Sequence, residues 1–437
     1  MNLFRLAWKN LTHKPLSALL GILLFALSVG LVSLLFSLRK QADEQFDANL
    51  AEVNLVVGAK GSPLNLVLNS MYHLGYPNGN VTLGEVRAFL NPKHPLIEAA
   101  IPLSLGDGYR GYRIVGTVAE ILDWYDAEVA EGEIWQRDFE VVIGPNVAQN
   151  TGLSIGDTFR SAHGIVDEGE DAMEHDDDFT VVGILAESGT VLDDAILTTN
   201  PTYWYSHDHG GAEEDHDHAD HDHEDHDHAD HDHAGHDHDD HSSVGGKEEL
   251  LAAADDKELT SLLIRYKNIN ARTLSFARNI NDNTDLLAAE PPYQISEVRR
   301  QFDNGQRILR ILVVAIIIVS ALSIFISLFS SLRDRRYELA MLRVMGSGRG
   351  GLFGLIVLEG LFVAAIGALA GLFLSHGILS VMASNIKDDF RYQLDAWRFL
   401  PEEGWMFLGA LALGFLAAVI PAIQASNTDI GETLTEG

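Results

Sequence analysis

Thirteen of the 19 histidines fall between His207 and His241, among 15 Asp and Glu residues and with no Lys or Arg. Within this tract His216-Asp217-His218 is followed at five-residue intervals by His221-Asp222-His223, His226-Asp227-His228, His231-Asp232-His233 and His236-Asp237-His238. In an extended chain residues i and i+2 project to the same side, so each His-Asp-His unit presents two imidazoles together. Imidazole suits Zn²⁺, Cu²⁺ and Ni²⁺, and the intervening carboxylates add charge and outer partners. The candidate metal ligands are therefore His216, His218, His221, His223, His226, His228, His231, His233, His236 and His238, with Zn²⁺ first and Ni²⁺ or Cu²⁺ as alternatives. The composition cannot bury a core, so a disordered loop is expected rather than a subdomain. Ordering such a loop costs entropy, which favours weak, multi-ion, exchangeable binding over one closed site. Two plainer readings stand beside this one: a solvated acidic insertion, and a pH sensor whose imidazoles gain charge as pH falls.

Other chemistries find no residues to carry them. The chain has no cysteine, which excludes disulfides, thiolate metal sites and cysteine nucleophiles. No Gly-x-x-x-x-Gly-Lys-[Ser/Thr] phosphate loop occurs, so any ATP that drives this protein is bound by another chain. Lys60-Gly61-Ser62 has the wrong spacing for such a loop and reads as a structural or partner-binding turn. Nothing assembles nucleophile, base and oxyanion donor, so no enzyme activity is expected. A net charge of −33 opposes nucleic-acid binding, which needs basic surface.

The acids and the apolar residues are segregated along the chain, as in a membrane protein with a soluble domain. Crossing about 30 Å of hydrocarbon takes roughly 20 apolar residues in a helix. Residues 16–38, 308–332, 352–379 and 404–424 supply four such spans. Arg5, Lys9 and Lys14 precede the first, and Arg333, Arg335, Arg336, Arg343 and Arg349 lie at the link between the second and third. The positive-inside rule makes both segments cytoplasmic, with both termini inside and residues 39–307 outside. Residues 1–15 place Phe4, Ala7, Trp8 and Leu11 on one helical face and Arg5 and Lys9 on another, which suits a helix at the inner membrane surface. Residues 333–351 form a cytoplasmic link, 380–403 a short outer loop and 425–437 a cytoplasmic tail.

The outer segment 39–307 has helical edges, Arg39–Leu50 and Ser296–Leu309, that continue the spans as stalks. Between them lie β-type runs at Val53–Val57, Tyr109–Val118, Phe139–Ile143, Phe179–Leu185, Ala195–Thr199 and Leu262–Tyr266. Helical patterns at Thr82–Leu90, Asn146–Gly152 and Asn270–Asn279 alternate with them. The expected fold is four transmembrane α-helices plus a large extracytoplasmic α+β domain inserted between the first two, with the histidine tract interrupting that domain between two strands.

Several short motifs carry a resemblance. Arg335-Arg336-Tyr337-Glu338-Leu339-Ala340-Met341-Leu342-Arg343-Val344-Met345-Gly346 resembles the cytoplasmic signature of ABC permeases similar to MacB, FtsX and the lipoprotein-releasing LolC and LolE. Leu6-Ala7-Trp8-Lys9-Asn10-Leu11, Leu358-Glu359-Gly360 and Pro421-Ala422-Ile423-Gln424-Ala425-Ser426 resemble the family's approach to span one, opening of span three and exit from span four. Val142-Ile143-Gly144 through Gly152-Leu153-Ser154-Ile155-Gly156-Asp157 resembles a strand–helix–turn element of its outer domain. The resemblance implies a bacterial inner-membrane permease subunit that works as a dimer, here a homodimer, with cytoplasmic ATPase subunits carrying the ATP. It implies coupling of ATP hydrolysis to motion of the periplasmic domain, toward a cargo or partner protein that the sequence does not choose. The ATPase contact is carried over to Glu338, Leu339, Met341, Leu342, Arg343 and Gly346. The tail after Ser426 lacks the family's basic residues.

The alternative is a metal-ion carrier or metal-sensing membrane protein that uses the tract as an antenna. A carrier needs ionisable ligands within its spans. Here only Glu359 and His376 qualify, 17 positions apart on one helix and so about 25 Å apart by helical rise. His376 is expected at the membrane interface, and Gly367 and Gly371 at a close helix contact.

Overall fold

The computed structural model describes residues 3–13, 15–163, 174–207, 247–390 and 395–427. They divide into two compact units, one of residues 1–44 with 300–437 and one of residues 45–299.

Among the described residues four helices are long and apolar enough to cross a membrane, Ala18–Leu50, Leu309–Arg333, Arg349–Ser384 and Pro401–Ser426, and all but residues 45–50 of them belong to the first unit. Hydrocarbon surroundings give apolar helices little reason to associate, so close backbone approach and interhelical hydrogen bonds decide how they pack. Both occur here. A Cβ on Gly30 would sit 2.9 Å from the Gly371 carbonyl oxygen, and one on Gly367 would sit 3.0 Å from Phe25, so the expected Gly367/Gly371 contact seats the first span on the third. Gly360 and Gly414 do the same between the third and fourth spans, where a Cβ on Gly414 would meet that of Ala364 at 2.3 Å. Ser28 and Ser320 hydrogen-bond across the first and second spans at 2.5 Å.

The second unit is built on a ten-stranded mixed sheet. Its strands run Leu286–Ala289, Leu55–Ala59, Ser261–Tyr266, Ile97–Tyr109, Tyr112–Thr117, Ala195–Thr199, Glu140–Ile143, Glu174–Leu185, Val129–Gly132, and Thr158–His163 pairs both with Ile97–Tyr109 and with Glu174–Leu185. Alternation along the strands fills both faces. Val142 and Leu197 join a large core with Leu55, Val57, Ile101 and Leu263, while Val141, Ile143 and Ile196 join a smaller one with Val147, Phe159 and Phe179. The helix Pro145–Thr151 ends at Gly152, whose φ of 78° needs a residue without a Cβ.

The expected β-runs lie on strands, with shifted ends. The 13-residue strand Ile97–Tyr109 is an addition, since Pro102, Gly106 and Gly108 read as turn signals. Pro102 is accommodated opposite Leu262, and a register irregularity between Leu105 and Gly108 absorbs the glycines. The pattern at 270–279 resolves into two helices, Ala271–Leu274 and Phe276–Asn283. The Lys60-Gly61-Ser62 turn is structural. Ser62 caps the helix Pro63–Tyr72, and the Asn78 side chain bonds the Ser62 carbonyl at 3.1 Å. The segment containing the histidine tract is flanked directly by the helices Asn200–His207 and Lys247–Ala252, not by strands. The ten candidate metal ligands from His216 to His238 lie outside the described residues.

Candidate coupling site

The second-span helix, Pro291–Asp334, stops at Arg335, whose φ of −112° and ψ of 17° turn the chain into a separate nine-residue helix, Arg336–Val344. This short helix is amphipathic. Leu339 and Ala340 are buried, and Leu339 packs with Leu332, Leu352, Leu355, Ile356 and Ala422. Tyr337, Met341, Val344 and Met345 are exposed, and Glu338 is exposed beside them.

Gly346 ends the helix. Its φ of 98° allows the Gly346 N–H to reach the Arg343 carbonyl and the Ser347 N–H to reach that of Leu342, each at 3.0 Å. This double bond pattern closes a helix through a left-handed residue, which glycine adopts without a Cβ clash. Chain termination thus accounts for Gly346.

Three charged or polar side chains from three separate segments anchor the start of this helix. Arg335, only 8% exposed, donates from Nη2 to the Asn10 carbonyl at 2.7 Å and holds Nη1 3.7 Å from Glu359 Oε1. Asn10 in turn donates from Nδ2 to Glu359 Oε1 at 2.5 Å. A carboxylate 3% exposed on a membrane helix requires such partners, because an unpaired buried charge is strongly destabilising. The N-terminal helix Leu3–His13 is also held by its rings, with Phe4 and Trp8 each edge-on to Phe362 at 6.0 Å.

Of the residues assigned to ATPase contact, Glu338, Met341 and Gly346 are exposed, and Leu342 and Arg343 are half-buried. Leu339, also assigned to that contact, faces inward, because the apolar floor beneath it belongs to the chain's own spans. The motifs contain Asn10, Arg335 and Glu359, with Arg335 counted toward orientation and Glu359 weighed as a carrier ligand, but the sequence did not pair the three. The signal was present: an acid within an apolar run demands a donor, and both donors stand in the flanking motifs.

His376 is buried within the protein. It is 1% exposed, donates from Nδ1 to the Ala396 carbonyl at 2.8 Å and sets Nε2 3.3 Å from Glu403 Oε1, which also accepts from Ser33 Oγ at 3.0 Å. Trp397 stacks on its ring at 5.9 Å. Glu359 and His376 therefore sit in separate polar clusters and share no ligand site. Among the described residues no three His, Asp or Glu side chains converge to hold a metal.

In the second unit, burial and the charge of Arg113 lower the His73 pKa to about 3. His207 shifts the other way. Burial lowers its pKa, but the hydrogen bond and charge of Asp107 and the Tyr203 carbonyl together raise it above the usual value.

Residues 17–217 match the model of the MacB-like periplasmic core domain, and residues 310–430 match that of the FtsX-like permease C-terminal region. No curated protein matches the chain. Among solved structures, the periplasmic region of MacB from Actinobacillus actinomycetemcomitans is similar at 9% identity and TM-score 0.32, over 58% of this chain and 94% of that one. A domain assigned to a permease protein from Porphyromonas gingivalis is similar at 11% identity and TM-score 0.25, over 55% and 88% respectively. Matched over most of its length by the two family models in succession, the chain belongs to the ABC transporter permeases of the MacB/FtsX type.

Proposed function

We propose that this permease couples ATP hydrolysis by a separate cytoplasmic ATPase to motion of its periplasmic domain. The observation that supports this reading best is the seating of Arg336–Val344. It is a short helix pinned at its base by Arg335, Asn10 and Glu359, with Tyr337, Glu338, Met341 and Met345 turned away from the chain's own core. An exposed apolar and acidic face on a rigidly rooted helix is suited to the cleft of a partner protein. Glu338, Met341, Leu342 and Arg343 are the contact residues, with Gly346 ending the helix and Leu339 supporting it from beneath.

The protein works as a homodimer in the bacterial inner membrane, with both termini cytoplasmic and residues 39–307 periplasmic. The basic residues at 5, 9, 333, 335, 336, 343 and 349 support this orientation. ATP binds the partner subunit, and the permease itself carries no catalytic residue. The tract between His216 and His238 binds zinc or a related metal in the periplasm, linking the outer domain to metal supply. A metal carrier is the weaker alternative, because Glu359 and His376 are each committed to separate protein partners.

The test is co-purification of an ATPase with the full chain from membranes, beside the variants Glu338→Ala, Met341→Ala and Arg343→Ala. Loss of ATPase capture and of permease-dependent ATP turnover in the variants is expected. Undiminished capture and turnover in all three would remove the coupling role from this helix. Zn²⁺ movement into liposomes without any ATPase would support the carrier instead.

A further inference from the structure

The helix Leu3–His13 presents three different faces. One lies on the chain's own core, where Ala7 is fully buried with Leu332, Leu339 and Ala422, and from where Asn10 reaches Glu359. A second carries Phe4 and Trp8, one turn apart. They are 63% and 52% exposed, although each ring rests edge-on against Phe362 of the third span. The third carries Arg5, Lys9 and Thr12, all exposed. At about 3.6 residues per turn the faces follow one another round the helix, with the two rings between the buried side and the basic side.

The chain itself supplies no cover for the rings and no counter-charge for the bases. Acids outnumber bases 63 to 30, yet among the described residues no carboxylate pairs with Arg5 or Lys9. The one carboxylate this helix touches, Glu359, is occupied by Asn10 and Arg335. Phe362 stands within a membrane span, so rings that lean on it present their open sides to hydrocarbon. Aromatic rings at the acyl boundary with cations turned toward water match the layering of a lipid leaflet, where the cations meet phosphates. A zwitterionic headgroup already carries its own cation beside the phosphate, whereas an anionic one has a charge left to neutralise Arg5 and Lys9.

We propose that the helix Leu3–His13 binds anionic phospholipid, with Phe4 and Trp8 in the acyl boundary and Arg5 and Lys9 on the phosphates. The bound lipid also steadies the base of Arg336–Val344, because Asn10 on the same helix donates to Glu359 and accepts from Arg335. The inference stands on this helix and does not rest on ATPase coupling.

The test titrates the full chain in detergent with phosphatidylglycerol or phosphatidylcholine, reading lipid retention by native mass spectrometry beside thermal melting. A preference for phosphatidylglycerol is expected, with a higher melting temperature than in phosphatidylcholine. At about five-fold per basic residue near an anionic surface, Arg5→Gln with Lys9→Gln should weaken phosphatidylglycerol binding about 25-fold and leave phosphatidylcholine binding unchanged. Both side chains are exposed, so this double variant should melt like the unaltered chain in phosphatidylcholine. Arg5→Lys with Lys9→Arg keeps the charge and should keep the preference, while Trp8→Ala should weaken both lipids. No preference for phosphatidylglycerol, or a preference that survives Arg5→Gln with Lys9→Gln, would overturn the site. A surviving preference together with loss of a co-purifying ATPase would assign the two bases to a protein partner instead.

Discussion

Asn10 gives its side-chain amide to Glu359 Oε1 at 2.5 Å across 349 positions of chain. With Arg335 bonded to the Asn10 carbonyl and facing the same carboxylate, the contact closes a loop between the N-terminal helix, the base of the short helix Arg336–Val344 and the third span. A push on the short helix is therefore resisted by three segments at once, and a lever needs such a fulcrum.

Removing Arg335 should leave Glu359 as a buried charge with one polar partner fewer. Arg335→Ala is expected to destabilise the full chain by about 3 kcal/mol. Glu359→Gln should cost less, because an amide oxygen still accepts from Asn10, and the double variant should recover part of the Arg335→Ala loss. Thermal melting in detergent reads all three. Additive losses in the double variant would show that the two groups do not interact.

The glycine contacts between spans leave no room for side chains. Gly414→Val should overpack the third–fourth span contact, where even a Cβ falls 2.3 Å from Ala364, at a cost of about 1–3 kcal/mol. Gly409, with open space around it, serves as the control, and Gly409→Ala should melt like the unaltered chain.

Gly346→Ala forces a Cβ into a left-handed conformation at φ 98°. The expected penalty is about 1 kcal/mol, concentrated in the last turn of the short helix. Hydrogen exchange at the Gly346 and Ser347 amides should accelerate, while exchange in the third span stays unchanged.

His73 makes the outer domain acid-sensitive. Its folded pKa of about 3 lies below its value in an unfolded chain, near 6.5. Folding is thus favoured fully above about pH 6.5, and the contribution is lost progressively as pH falls toward 3, because the unfolded chain takes up the proton first. His73→Asn keeps a residue that tolerates the φ of 53° at this helix end and removes the titration. The full chain should lose less melting temperature between pH 7 and pH 5 in the variant than in the original. An identical loss in both would assign the acid sensitivity elsewhere.

Patterns confined to one segment were legible in the residues alone. Four uncharged runs announce the spans, because crossing hydrocarbon is a demand on each helix separately. Glu338 to Gly346 announce a short amphipathic helix with a glycine end, because termination is local backbone chemistry. Pro421 inside the fourth-span helix shows the limit of local punctuation, as does Pro102 inside a central strand. The strand Ile97–Tyr109 exists because neighbours on both sides supply hydrogen bonds and apolar cover that its own Gly and Pro residues argue against. Which face of the short helix points outward was likewise not encoded in its periodicity. Periodicity defines a stripe containing Leu339, but the apolar floor of Leu332, Leu355 and Ala422 turns that stripe inward. His376, placed by sequence at a membrane edge, is buried because Ala396, Glu403 and Ser33 arrive from three distant positions to satisfy it. The sequence by itself determined the class of protein, its spans and the motif between the second and third of them. Only tertiary structure decided which polar groups pair, because a buried charge is settled by whatever donor the folded chain brings within about 3 Å.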